Sequence, residues 1–188
     1  MNQIPKIFPR AKTISSTILF AAAAFALFLA PRAGLAATSD QSDVRTAVQR
    51  IFSQLKNGEY SELYDALPSS ARARTTREQL AQGLQRTQET FELQRIEIGT
   101  ISVAGNLAVV NTTMYARVKP LNADGKLVVQ QYLIREEGSW RVVTGDTPTI
   151  NRFLKSNPAF AERFPIRKPQ AFILQNNKWV SIPLGPKR

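Results

Sequence analysis

Leu107 to Asp146, LAVVNTTMYARVKPLNADGKLVVQQYLIREEGSWRVVTGD, is the stretch that decides the fold. It reads as three antiparallel strands joined by two tight turns. Asp124-Gly125 and Glu137-Gly138 supply the turn dipeptides, since a two-residue hairpin loop needs φ > 0 and glycine reaches it without strain. β-Branched and aromatic residues crowd the flanks, from Val109 to Tyr115, from Val128 to Ile134 and from Trp140 to Val143. With Glu137-Gly138 as one loop, Arg135 lies opposite Trp140 and Leu133 opposite Val142. With Asp124-Gly125 as the other, Ala116 falls opposite Leu133 and Tyr115 opposite Ile134. One face then carries Met114, Ala116, Val118, Leu127, Val129, Leu133, Trp140 and Val142. The other carries Tyr115, Arg117, Gln130, Tyr132, Ile134, Arg141 and Val143. Both faces are too apolar for water, so helices are expected on one and a second cover on the other.

Upstream of this meander the apolar period is helical. Val44, Ala47, Val48, Ile51, Phe52 and Leu55 follow one face of a helix that Asn57-Gly58 ends. Tyr60, Leu63, Tyr64 and Leu67 make a short helix closed by Pro68, and Ser69 to Arg74 reads as a polar link. Thr75-x-x-Glu78 and Thr76-x-x-Gln79 are overlapping capping boxes for a third helix with Leu80 and Leu84 inward. From Phe91 the period changes to pairs, Phe91 and Leu93, Ile96 and Ile98, Ile101 and Val103. Two slips in the alternation predict a long strand with bulges, turned back at Gly105-Asn106.

This order of helices, long bulged strand and meander resembles the nuclear transport factor 2-like (NTF2-like) superfamily, a cone-shaped α+β fold that also includes ketosteroid isomerase. The residues that carry the resemblance are Asn57-Gly58-Glu59-Tyr60 after the first helix and the hairpin from Tyr132 to Val143, with its Gly-x-Trp-Arg-Val closing strand. The resemblance covers about Asp43 to Asp146 and implies N-terminal helices packed on a curved antiparallel sheet. It says little of function, because one scaffold there hosts enzymes, binding proteins and assembly modules. An isomerase-like member needs a carboxylate base and a buried phenol or protonated acid, and no such motif matches here. A dehydratase-like member needs a His-Asp pair, which a chain without histidine cannot supply.

Composition narrows the chemistry further. The chain has 188 residues, no cysteine and no histidine. Disulfides, thiol nucleophiles, cysteine metal sites, a lipoprotein anchor and Ser-His or Cys-His catalysis are thereby excluded. No cofactor and no metal site is expected. Proton transfer would fall to Asp, Glu, Lys or Tyr, and Asp65 and Glu97 are the fallback acid/base candidates because apolar neighbours could bury them. Tyr64, Tyr115, Tyr132, Gln130 and Arg117 are the candidate ligand-binding residues, as walls of a cone that takes a small apolar or amphipathic molecule.

The net charge of +11 is concentrated at the ends. Residues 37–146 hold thirteen basic and thirteen acidic side chains, whereas residues 147–188 hold eight basic ones against Glu162 alone. Residues 1–36 read as a signal peptide: a cationic start, the apolar run Ile18 to Ala30, then Pro31 and the small residues Gly34 and Ala36 at the cleavage site. Cleavage after Ala36 would release a periplasmic or secreted protein of the bacterial envelope, and an uncleaved N-terminal membrane anchor is the alternative. Residues 147–188 are expected as a basic extension. A helical turn carries Ile150, Phe153 and Leu154, a second opens at Asn157-Pro158, and Ala171 to Ile182 forms a hairpin around Asn176-Asn177. Its aromatics Phe153, Phe160, Phe164, Phe172 and Trp179 carry too much apolar area for a free tail, so docking on the domain is expected. Only Arg167-Lys168 and Lys187-Arg188 are adjacent among the cations there, the rest are spaced singly and no nucleic-acid module accompanies them, so nucleic acid is not expected as a partner. The partners that remain are a small apolar ligand, a second copy through the sheet face, and an envelope protein or anionic surface reached by the basic extension. The sequence thus points to an exported NTF2-like protein that binds or scaffolds. A cofactor-free isomerase or hydrolase-like enzyme and an assembly module of an envelope complex are the alternatives.

Overall fold

A computed structural model describes residues 33–143 and 147–184, the first six of these by backbone alone. The chain divides into two compact units, 1–36 and 37–188, and the second is described here. The cationic start and apolar run of the expected leader lie outside the described residues, as do Asp146, Lys187 and Arg188. Among the described residues no helix is long and apolar enough to cross a membrane.

The architecture is α+β, helices followed by a curved six-stranded antiparallel sheet. Helix α1 (Ala33–Asn57) buries Val44, Ala47, Val48, Ile51 and Phe52 along one face, and Gly58 takes the left-handed conformation (φ +78) that ends it. A 3₁₀ turn (Glu62–Ala66) follows and buries Leu63 and Ala66. The segment expected as a polar link contains a helical turn, α2 (Ser69–Arg72), which buries only Ala71. Four residues with one apolar position leave no periodicity to read. The turn is fixed by a distant group: the Glu136 carboxylate accepts from Ser69 N at 2.8 Å and from Ser69 Oγ at 3.2 Å. Helix α3 (Arg77–Thr90) is opened by Thr76, the second of the two expected caps. Thr76 Oγ1 accepts from Gln79 N at 3.2 Å, and Gln79 Oε1 accepts from Thr76 N at 3.1 Å.

Strands β1 (Phe91–Ala104), β2 (Leu107–Val118), β3 (Ala123–Glu136) and β4 (Ser139–Val143) form the meander. Register shifts in β1 fall between Leu93 and Arg95 and between Ile98 and Ile101, where the apolar pairs slip. Glu137-Gly138 is a turn with both φ positive, and it sets Arg135 opposite Trp140 and Leu133 opposite Val142. The Asp124-Gly125 turn is corrected. Those residues lie inside β3, opposite Arg117 and Ala116. The chain reverses instead through a 3₁₀ turn at Lys119–Leu121 and Asn122, whose φ is +46. Tyr115 therefore faces Lys126, and not Ile134. The displacement is an even number of residues, so every side chain keeps its face.

Each face has its own cover. Val44, Ala47 and Val48 of α1 pack on Ile101, Ala108, Val110, Leu133 and Trp140. On the opposite face, helices α4 (Thr147–Lys155) and α5 (Pro158–Arg163) bring Ile150, Leu154 and Phe160 onto Leu107, Val109, Tyr132 and Val143. Each such side chain contributes about 1.5–3 kcal/mol when fully covered. Strands β5 (Gln170–Gln175) and β6 (Lys178–Ile182) turn at Asn176-Asn177, both with positive φ, and β5 pairs with Gly125–Val128 of β3. The sheet runs β1-β2-β3-β5-β6 with β4 also on β3. Because β4 meets only Tyr132–Glu136, residues 129–131 of β3 have no strand on that side. This gap positions the site.

Candidate functional site

Past Val48 the sheet stands apart from the end of α1 and the elements that follow it, leaving a cavity of about 810 Å³. Its floor is Met114, Leu127, Val129 and Val142. Its opposite wall is Ile51 and Leu55 of α1, Leu63, Leu67 and Ala71 of the short turns, and Leu80 and Leu84 of α3. Such a volume and lining lie within the ordinary range for small-molecule sites. The cavity continues to the gap in the sheet, where Gln130, Gln131 and Tyr132 line it, and to a rim of Ile166, Pro169 and Leu184. Ile166 and Leu184 are 41% and 56% exposed.

The polar groups at the gap are occupied by one another. Gln131 Nε2 donates to Thr112 Oγ1 at 3.3 Å, and that hydroxyl donates to the Val129 carbonyl at 3.2 Å. Tyr132 is fully buried, and its hydroxyl reaches Gln130 Oε1 at 3.1 Å and the Phe164 carbonyl at 3.4 Å. Burial raises the pKa of Tyr132, with Arg167 opposing the shift. Gln130 Oε1 also accepts from Arg167 N at 2.8 Å, so one side chain straps the C-terminal segment across the gap. Among the described residues no carboxylate lines the cavity, and the charged lining residues are Arg74, Arg152 and Arg167.

The structure separates the residues singled out from the sequence. Tyr132 and Gln130 line the cavity. Tyr64 lies outside it, with its hydroxyl on the Arg72 carbonyl at 3.1 Å and Arg77 stacked 4.8 Å from its ring. Tyr115 and Arg117 point from the opposite face of β2. Tyr115 donates to Glu97 at 3.0 Å beneath the Arg95 guanidinium, with Trp179 edge-on at 6.1 Å. Arg117 bonds Asp124 at 3.0 Å and Asn122 at 2.6 Å. Alternation is the physical reason: Met114 and Tyr115 cannot share a face. Tyr132 is also a far-face residue, and it reaches the cavity because the sheet is open beside it.

Asp65 and Glu97 are exposed, and neither lines the cavity. The Arg77 side chain, bonded to Asp65 at 2.8 and 3.0 Å, holds that carboxyl below the usual range. Hydrogen bonds from Arg95 and then Tyr115 do the same for Glu97. A general base poised near neutrality needs the opposite shift. Among the described residues no group of three or more Asp and Glu converges as a metal site would require. The lining residues that sequence reasoning missed include Gln131, Arg74 and the leucines of the turns and α3. Met114, Leu127 and Val129 did carry a signal, as apolar near-face residues of the meander.

No protein-family model matches the chain, and no curated protein matches it. Among solved structures, it is similar to an LEH-like epoxide hydrolase of M. tuberculosis, at 16% identity and a TM-score of 0.40, over 66% of this chain and 98% of that one. A likeness of this extent carries no residue-to-residue correspondence.

Proposed function

We propose that this is an exported NTF2-like protein of the bacterial envelope that holds a small amphipathic molecule in the sheet cavity and does not turn it over. The observation that carries the reading is a cavity of about 810 Å³ with an apolar floor and wall and, among the described residues, no carboxylate in its lining. The chain lacks histidine and cysteine altogether, which leaves a buried tyrosine and exposed arginines as the titratable lining groups. A phenol whose pKa is raised and whose proton is already donated is a poor base at neutral pH. Asp65 and Glu97, the residues an enzyme would use, are ion-paired on the surface.

Calorimetric titration with a neutral probe, decan-1-ol, tests the cavity. One molecule should bind per chain, and Val129→Trp, which fills the floor, should abolish binding while leaving the circular dichroism spectrum intact. Unchanged binding in Val129→Trp would place the ligand elsewhere. The export part of the reading is tested by intact mass from the envelope fraction, where the expected N-terminus is Ala37 and retention of Met1 would mean an anchored form.

A further inference from the structure

We infer that the ligand carries an anionic head group, a carboxylate or a phosphate, which seats on Arg72 and Arg74 while its apolar body fills the cavity. The inference rests on the cavity reading above and adds the chemistry of the end that stays polar. Arg74 and Thr75 line the cavity and also a neighbouring hollow of about 550 Å³, so the two spaces share a wall. Arg72, Arg77 and Tyr64 stand around that hollow, with Glu78 as its acidic residue. Arg77 is already committed, to Asp65 through both terminal nitrogens and to the face of Tyr64. Glu78 is held by its own backbone N–H and by Thr76 at the start of α3. Arg72 and Arg74 have no ion-pair partner among the described residues. Arg74 thus stands at the wall shared with the apolar cavity and Arg72 in the adjoining hollow, neither of them in an ion pair among the described residues, and an anion placed there would gain from both charges. Their planar forks match a carboxylate or phosphate.

The test compares decan-1-ol, decanoate and decyl phosphate by calorimetry at low and high salt. It uses the wild-type chain, the Arg72→Gln/Arg74→Gln double variant and the Arg152→Gln/Arg167→Gln double variant. Both anions should bind at least about tenfold more tightly than the alcohol at low salt, the worth of one charge-assisted pair. Added salt should shrink that advantage. The Arg72→Gln/Arg74→Gln protein should bring the anions down to the affinity of the alcohol. A larger advantage for decyl phosphate than for decanoate would assign a phosphate head, and the reverse a carboxylate. Equal affinity for all three probes in the wild-type chain overturns the inference and leaves the cavity reading standing. So does an advantage that survives Arg72→Gln/Arg74→Gln, or one lost only in Arg152→Gln/Arg167→Gln. If none of the three binds, the cavity reading itself is refuted.

Discussion

Trp140 and the two surface carboxylates show how far a single side chain can be read. Trp140 is 4% exposed within the core beneath α1, and Arg135 lies 4.5 Å from its ring centre while ion-paired to Asp40. Trp140→Ala should cost about 3–5 kcal/mol in denaturant unfolding. Its indole N–H has no acceptor among the described residues, so Trp140→Phe should cost much less, because it removes a buried donor along with the volume. For Asp65 and Glu97 the folded-state pKa is lowered, so their stabilising effect is present above the ordinary carboxylate pKa, about 4. It is lost as pH falls through the lower folded value. The melting temperatures of the wild-type chain and the Asp65→Asn/Glu97→Gln protein should therefore differ most above about pH 5 and converge in acid. Binding of decan-1-ol should be the same in both. The outward place of Glu97 was legible, since alternation turns it away from the face of Ile96 and Ile98, whereas that of Asp65, on a short turn, was not. The arginine of Asp65 comes from the start of α3, whereas that of Glu97 is its same-face neighbour two residues back on β1.

At the scale of elements, the helical faces and the Glu137-Gly138 turn were legible because period and turn chemistry are local. The hairpin between β2 and β3 was not. Asp124-Gly125 has the composition of a turn, but Gly125 is a glycine for a different reason: a Cβ there would lie 2.8 Å from Val118 Cγ2. The position is crowded between β2 and β5, whereas Gly83 in α3 has nothing within 4 Å and no positive φ. Two identical substitutions should thus act with opposite sign. Gly125→Ala should destabilise by about 1–3 kcal/mol, as overpacking does. Gly83→Ala should stabilise by about 0.4–1 kcal/mol through the unfolded chain. Chemical denaturation of the two variants measures both.

Across the whole molecule, the C-terminal segment serves as roof and as edge. Helices α4 and α5 cover one face through Ile150, Leu154 and Phe160, and β5 joins β3. Backbone amides of Gln170–Gln175 should accordingly show slow hydrogen exchange, and those on the open side of β6, where Trp179 is 38% exposed, should exchange faster. Rapid exchange throughout both strands would make the segment a free cationic tail. Its apolar content announced docking, yet the gap at residues 129–131 could not be read in advance. That opening depends on where two strands distant in sequence stop along a third. The same topology fixes an order of events as the chain emerges from a ribosome or a translocation channel. Through its first 143 residues the chain can form the meander and its N-terminal cover, but β3 keeps a bare flank and Tyr132 stays wet. Residues 125–128 of β3 gain their outer partner only once residue 173 has cleared the exit, so the rim at Ile166, Pro169 and Leu184 is the last part of the cavity to form.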